Sequence, residues 1–131
     1  MSEQNMRQKF NRAMFGRDPV SVENHAYPGT PDVNFIEGWA ELKWLRAWPA
    51  GASTIVRLEH LTQQQRIWLV KRKRAGGNVW LILQCRREWL CFNTEEAFLR
   101  VGSVPQSTLK EIGTVLWGTE RLRALLSGGT T

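Results

Sequence analysis

Apolar residues recur at helical spacing near the start of the chain. Met6, Phe10, Ala13 and Met14 form one stripe, which predicts a helix over residues 3–15 that Gly16 ends. Asp18-Pro19 breaks the pattern. Val20, Val22 and His25 to Tyr27 alternate weakly and predict a strand, and Pro28-Gly29-Thr30-Pro31 predicts a turn. Two alternating runs follow, Asp32 to Ile36 and Trp39 to Leu45, on either side of Glu37-Gly38. A tight hairpin turn at those two residues opposes Phe35 to Ala40, Asn34 to Glu41, Val33 to Leu42 and Asp32 to Lys43. One sheet face then carries Val33, Phe35, Ala40, Leu42 and Trp44, and the other carries Asp32, Asn34, Glu41 and Lys43. A slip of one residue would mix the two sets.

Beyond this hairpin, Trp48 to Ser53 reads as a loop and Ile55 to Leu58 as a short strand or ordered loop. A helix is predicted from Leu61 to about Ala75. Thr62 and Gln65 have the spacing of a capping box, and Gly76-Gly77 stops the helix. The unbroken apolar run Val79 to Cys85 predicts a central strand buried on both faces. Trp89 to Phe92 reads as its partner after a turn near Arg86 to Glu88. Thr94 opens a short helix to Leu99, and residues 107–126 carry a helical stripe that Gly113 and Gly118 can divide. The expected architecture is a mixed α/β (α+β) domain, a central mixed sheet flanked by helices. It forms a single domain over residues 1–131, with a core over about 3–92 and a C-terminal helical segment over about 93–126.

Composition narrows the classes of function. The 131 residues include 18 Lys and Arg against 12 Asp and Glu, a net charge of +6, which suits a polyanionic partner. The amino-terminal segment lacks a signal-peptide core, and no apolar run approaches the ~18 residues of a membrane span. Cys85 and Cys91 are too few for a disulfide framework. The expectation is a reduced, cytoplasmic protein with no membrane partner. The seven Trp residues are expected mostly to fill the core.

The polar hairpin face concentrates the chemistry. Asp32 and Glu41 lie diagonally across adjacent strands, close enough to converge on one hard cation such as Mg²⁺. Lys43 lies two residues beyond Glu41 on the same face, where an ammonium can stabilise developing negative charge. Two acids and an amine around a cation suit phosphodiester hydrolysis. The same pattern is also that of a solvated salt-bridge ladder, which contributes little to stability.

Pro31-Asp32 followed by Glu41-Leu42-Lys43 resembles the PD-(D/E)XK signature of restriction-endonuclease-like nucleases. Gly29-Thr30-Pro31-Asp32-Val33-Asn34, then Gly38-Trp39-Ala40-Glu41-Leu42-Lys43, is similar to the VRR-NUC and phage Holliday-junction-resolvase-like branch. The helix from Leu61 to Leu69 and its exit at Ala75-Gly76-Gly77 look like the Gln-bearing helix of that branch, so the resemblance covers about residues 20–92. It implies a restriction-endonuclease-like core with a four-stranded mixed sheet. It implies a Mg²⁺-dependent endodeoxyribonuclease, with Mn²⁺ able to substitute, in a bacterial or phage-infected cell. Asp32, Glu41 and the Leu42 carbonyl would be metal ligands, Lys43 would act at the nucleophile and the phosphate, and Gln65 would sit beside them or serve as a cap alone. Members often add an upstream Glu, for which Glu23 is the candidate and Glu3 the competitor. His25 could touch the scissile phosphate or make a structural hydrogen bond.

Lys71, Arg72, Lys73 and Arg74 end the Gln-bearing helix and are candidates for phosphate contact beside the active site, as is Arg46; a solvated helix end is the alternative for the run. No sequence-reading device is visible, so branched DNA is the expected partner and Holliday-junction resolution the expected role in recombination. Flap cleavage, or a catalytically silent binding module, are the alternatives. Two symmetric cuts from a chain with one site require a homodimer. Leu116, Trp117, Leu122, Leu125 and Leu126 could form its interface or pack within the chain.

Overall fold

The computed structural model describes residues 2–24 and 26–128; His25 lies outside the described residues. Helix α1 (Glu3–Ala13) begins where the Ser2 hydroxyl accepts the Asn5 N–H, and its apolar stripe buries Met6 and Phe10. Strands β1 (Val20–Ser21), β2 (Val33–Phe35) and β3 (Gly38–Leu45) form an antiparallel meander. Helix α2 (Gln63–Arg74) then crosses over to β4 (Val79–Cys85), which runs parallel to β3. The chain continues through β5 (Glu88–Phe92), α3 (Glu95–Arg100), α4 (Gln106–Ile112), β6 (Thr114–Trp117) and α5 (Leu122–Leu126).

The six strands lie in sequence order in one mixed sheet. The sheet separates two cores. Met6, Phe10 and Met14 at one face pack with Val33, Phe35, Ala40 and Leu42, and Leu122 and Leu126 of α5 join them. At the other face Leu69 of α2, Phe98 of α3 and Leu109 of α4 pack with Val79, Leu81, Leu83, Leu90 and Phe92. This explains the unbroken apolar run of β4. Alternate residues of that strand enter different cores, and all seven are buried. Among the described residues no helix is long and apolar enough to cross a membrane.

Three expectations require correction. The hairpin turns at Ile36-Glu37, not Glu37-Gly38, so Val33 pairs with Ala40 and Phe35 with Gly38. That is a shift of two residues in register. Side chains alternate with period two, so both sheet faces keep the residues assigned to them. Second, residues 107–126 are not one helix. Gly113 ends α4, and the extended Thr114-Val115-Leu116-Trp117 supplies β6 along the open edge of β5. With β1 at the opposite edge, the sheet has six strands rather than four. Third, of the seven Trp only Trp80 and Trp89 are fully buried; Trp39, Trp44, Trp48 and Trp68 are half-buried against the two cores, and Trp117 is 72% exposed. Leu122 and Leu126 are buried in their own chain, so neither is available to a dimer interface.

The start of β3 is fixed by close approach of backbones. The Trp39 N–H donates to the Asn78 carbonyl at 3.0 Å. A Cβ on Gly38 would collide with that same carbonyl oxygen. Backbone cannot yield as a flexible side chain can. Gly38→Ala is therefore expected to destabilise the fold by about 2–3 kcal/mol, read as a lower urea midpoint with an unchanged slope.

Candidate active site

Asp32 is the last residue before β2. One step beyond the Val33–Ala40 pair, it stands opposite Glu41 rather than diagonal to it. Its Oδ2 accepts the Leu42 N–H at 2.9 Å, which fixes the carboxylate against β3. Gly29 holds the preceding turn. Its φ of +89° suits glycine, and a Cβ there would collide with the Gln64 carbonyl of α2. The turn that delivers Asp32 is thereby packed on the first turn of α2.

Glu41 and Lys43 project toward α2 and are almost wholly buried, with 1% and 6% of their surface exposed. A solvated salt-bridge ladder is therefore not what the hairpin forms. Lys43 Nζ lies 3.2 Å from Glu41 Oε2 and donates to the His60 carbonyl at 2.8 Å. Gln65 has two functions. Its Oε1 accepts the Thr62 N–H at 2.9 Å and completes the capping box, while its Nε2 donates to Glu41 Oε2 at 3.2 Å. The cap and the active-site contact, weighed as alternatives on sequence, are made by opposite ends of one amide.

Glu41 Oε1 is buried and has no hydrogen-bond partner. Burial, with Asp32 adding to it, pushes the Glu41 carboxyl up from 4.5 to about 8, and Lys43 opposes the shift. Asp32, Glu41, Leu42, Lys43 and Gln65 line a cavity of about 210 Å³, and the exposed Glu3, Arg7 and His60 form its mouth. The side chains are buried but the cavity opens to the surface.

The donor set suits a hard divalent cation. An unpartnered carboxylate oxygen beside a second carboxylate offers oxygen ligands, and Mg²⁺ commonly takes one or two protein carboxylates and keeps several waters. Among the described residues no cluster of three or more His, Cys, Asp or Glu forms, so two carboxylates and a backbone carbonyl would be the protein's share.

The remaining candidates fall elsewhere. Glu3 of α1 lines the cavity, and Glu23, exposed after β1, does not. Arg7, one helical turn after Glu3, and His60, two residues before the cap, are additions that sequence reading missed. For Arg7 the signal is its place on the Glu3 flank of α1; His60 carries none. The basic run does not adjoin the carboxylates. Gln65 is in the first turn of α2, and Lys71 to Arg74 lie about 9–14 Å farther along its axis. Arg74 pairs with Glu95 at 2.7 Å, and Arg72 lies 4.5 Å over the Trp68 ring and 6.0 Å over Trp39. Lys71 and Arg72 line a separate groove with Tyr27 and Thr30, and Lys73 is half-buried. Arg46 lies past the end of β3, in a different depression from the cavity. Comparison of the chain with protein-family models, curated proteins and solved structures finds no match.

The raised Glu41 value sets a pH dependence. Below about pH 4.5 folded and unfolded chains both carry the proton; between 4.5 and 8 only the folded chain keeps it, so stability falls as pH rises through that window. The metal-free protein is expected to lose stability on the order of a few kcal/mol from about pH 5 to pH 8 through this group. Glu41→Gln removes that part of the slope, as read from urea unfolding across pH. An unchanged slope in the variant would contradict the assignment.

Proposed function

We propose that the chain is a divalent-metal-dependent DNA endonuclease of the PD-(D/E)XK type that acts on branched DNA. The observation that carries this reading is Glu41, with one carboxylate oxygen held by Lys43 and Gln65 and the other buried beside Asp32 without a partner. The Arg17–Glu37 ion pair also leaves one carboxylate oxygen unpartnered; what sets Glu41 apart is a second carboxylate beside that oxygen, in a cavity that opens to the surface.

Asp32 and Glu41, with the Leu42 carbonyl, would hold Mg²⁺ or Mn²⁺. The bound ion supplies a Lewis acid for the phosphoryl oxygens. Lys43 keeps an ammonium at the inner wall of the cavity, where it stabilises the charge that builds on the phosphate during in-line hydrolysis. The His60 carbonyl fixes the direction of that ammonium, and Gln65 fixes the Glu41 carboxyl. Both constraints are in place before substrate binds, so little reorganisation is needed on reaching the transition state.

The described residues form one such site, so symmetric resolution of a four-way junction would proceed from a two-fold homodimer. A panel of four-way junction, flap, splayed-arm, single-stranded and duplex DNA, with Mg²⁺ and the protein's size measured in parallel, tests the reading. The expected result is Mg²⁺-dependent cutting with preference for the branched substrates. Asp32→Ala and Glu41→Ala are expected to lose it by about a thousandfold or more, and Lys43→Ala by about a hundredfold or more. Undiminished cutting by Asp32→Ala would end the assignment, and Mg²⁺-independent binding without products would leave a binding module in its place.

A further inference from the structure

A second concave surface lies at the end of the sheet where β3 and β4 run out. Its volume is about 990 Å³, on the scale of a pocket for an organic ligand. Three indoles face it, Trp44 at the end of β3, Trp48 in the following loop and Trp117 at the end of β6. Four cations surround them: Lys9 of α1, Arg46, Arg86 and Arg87. None of the four forms an ion pair with another described residue.

One acid lines the surface, and it is already engaged. Glu88 accepts the Trp48 Nε1–H at 2.8 Å and pairs with Lys110 at 2.7 Å. The same ammonium stands 5.7 Å over the Trp48 ring. These contacts hold that indole in place and leave the net charge of the surface positive. A fixed aromatic face beside free guanidinium groups is suited to stacking a base and pairing with the adjoining phosphate.

The hairpin tip supports a ligand-directed role. Arg86 and Arg87 form the two-residue connection between β4 and β5, because Cys85 pairs with Glu88. Arg86 has a φ of +57°, the left-handed region that Gly or Asn occupies at less cost. Arginine at that position sacrifices turn stability and places a cation at the rim.

We propose that this surface binds unpaired nucleotides, making it the single-strand subsite of the protein. Duplex DNA keeps its bases stacked inside and offers indoles no exposed face, whereas a branch point or free end supplies them. A second copy of the chain is disfavoured here, since two such faces would oppose four cations to four. The surface is distinct from the carboxylate cavity. α1 presents Glu3 and Arg7 to the cavity and Lys9 to the surface. The two thus flank one helix. That a strand held here is the one being cut rests on the nuclease reading; binding to the surface does not.

The test is fluorescence anisotropy with a labelled oligothymidylate of about 12 nucleotides and a duplex of the same length, both in EDTA. The native protein is expected to prefer the single strand, with quenching of Trp fluorescence. Trp117→Ala should weaken single-strand binding about tenfold. The double variant Arg86→Gly with Arg87→Asn puts glycine at the one positive-φ position of the turn, so its melting temperature should be maintained or raised. It should still bind the single strand at least tenfold more weakly, with a salt-dependence slope lower by about 1.4. Native-like binding by the double variant, equal affinity for duplex, no single-strand binding, or a native dimer that Trp117→Ala dissociates would each overturn the proposal. The nuclease reading is scored separately. Asp32→Ala should keep single-strand binding while losing cleavage, and a protein that binds through this surface but never cuts would remove the nuclease reading alone.

Discussion

The candidate site depends on the burial of one carboxyl group. Glu41 is held on β3 with almost no exposure to water, next to a second carboxylate and within reach of one ammonium. Burying a charge costs several kcal/mol unless its partners restore what water supplied. Lys43 and Gln65 satisfy one oxygen, and the other faces Asp32, a partner only when one of the two carboxyls carries a proton. The group responds by raising its proton affinity, which removes the charge. A divalent cation would relieve the same strain without the proton. The folded protein is thus destabilised locally where a metal would stabilise it, a common signature of functional sites.

The rest of the fold can be read as support for that arrangement. The parallel pairing of β3 with β4 requires a crossover, and α2 is that crossover. Its first turn brings the capping glutamine onto Glu41, and the Gly29 turn packs on the same helical turn to deliver Asp32. β2 begins only after Asp32, while β3 continues past the residue opposite it. The notch left by the shorter strand is where the cavity opens, and α1 crosses its mouth with Glu3 and Arg7. The surface carrying Trp44 and Arg46 begins one residue after Lys43, on the opposite side of the same strand.

Much of this was legible in the chain because it depends on local rules. The Thr62–Gln65 spacing marks a capping box, and an unbroken apolar run marks a strand covered on both faces. The hairpin faces were legible too, even though the turn was placed one residue late, which shifts the pairing by two: parity survives an even slip, so Asp32, Glu41 and Lys43 share a face in either register. Other features depend on tertiary context. The Thr114–Trp117 segment takes its conformation from the open edge of β5, and its Leu116 fits a helical stripe equally well. The burial of Glu41 and Lys43 follows from α2 lying over them, which no pattern within the hairpin encodes. Charged residues in alternation with apolar ones read as solvent-facing by default. That default fails here because the second face of the sheet is covered as well. The assembly of Arg46, Arg86 and Trp117 from three separate segments lies beyond any local pattern for the same reason.

The central claim is that Asp32 and Glu41 are two halves of one cation site. Anomalous diffraction from crystals of the protein soaked in Mn²⁺ at about pH 8, where the Glu41 carboxyl gives up its proton, tests this most directly. The expected result is one strong peak in the cavity, bonded to the Asp32 carboxylate and to Glu41 Oε1, with Lys43 still beside Oε2. An empty cavity at saturating Mn²⁺, or a peak that touches neither carboxylate, would contradict it.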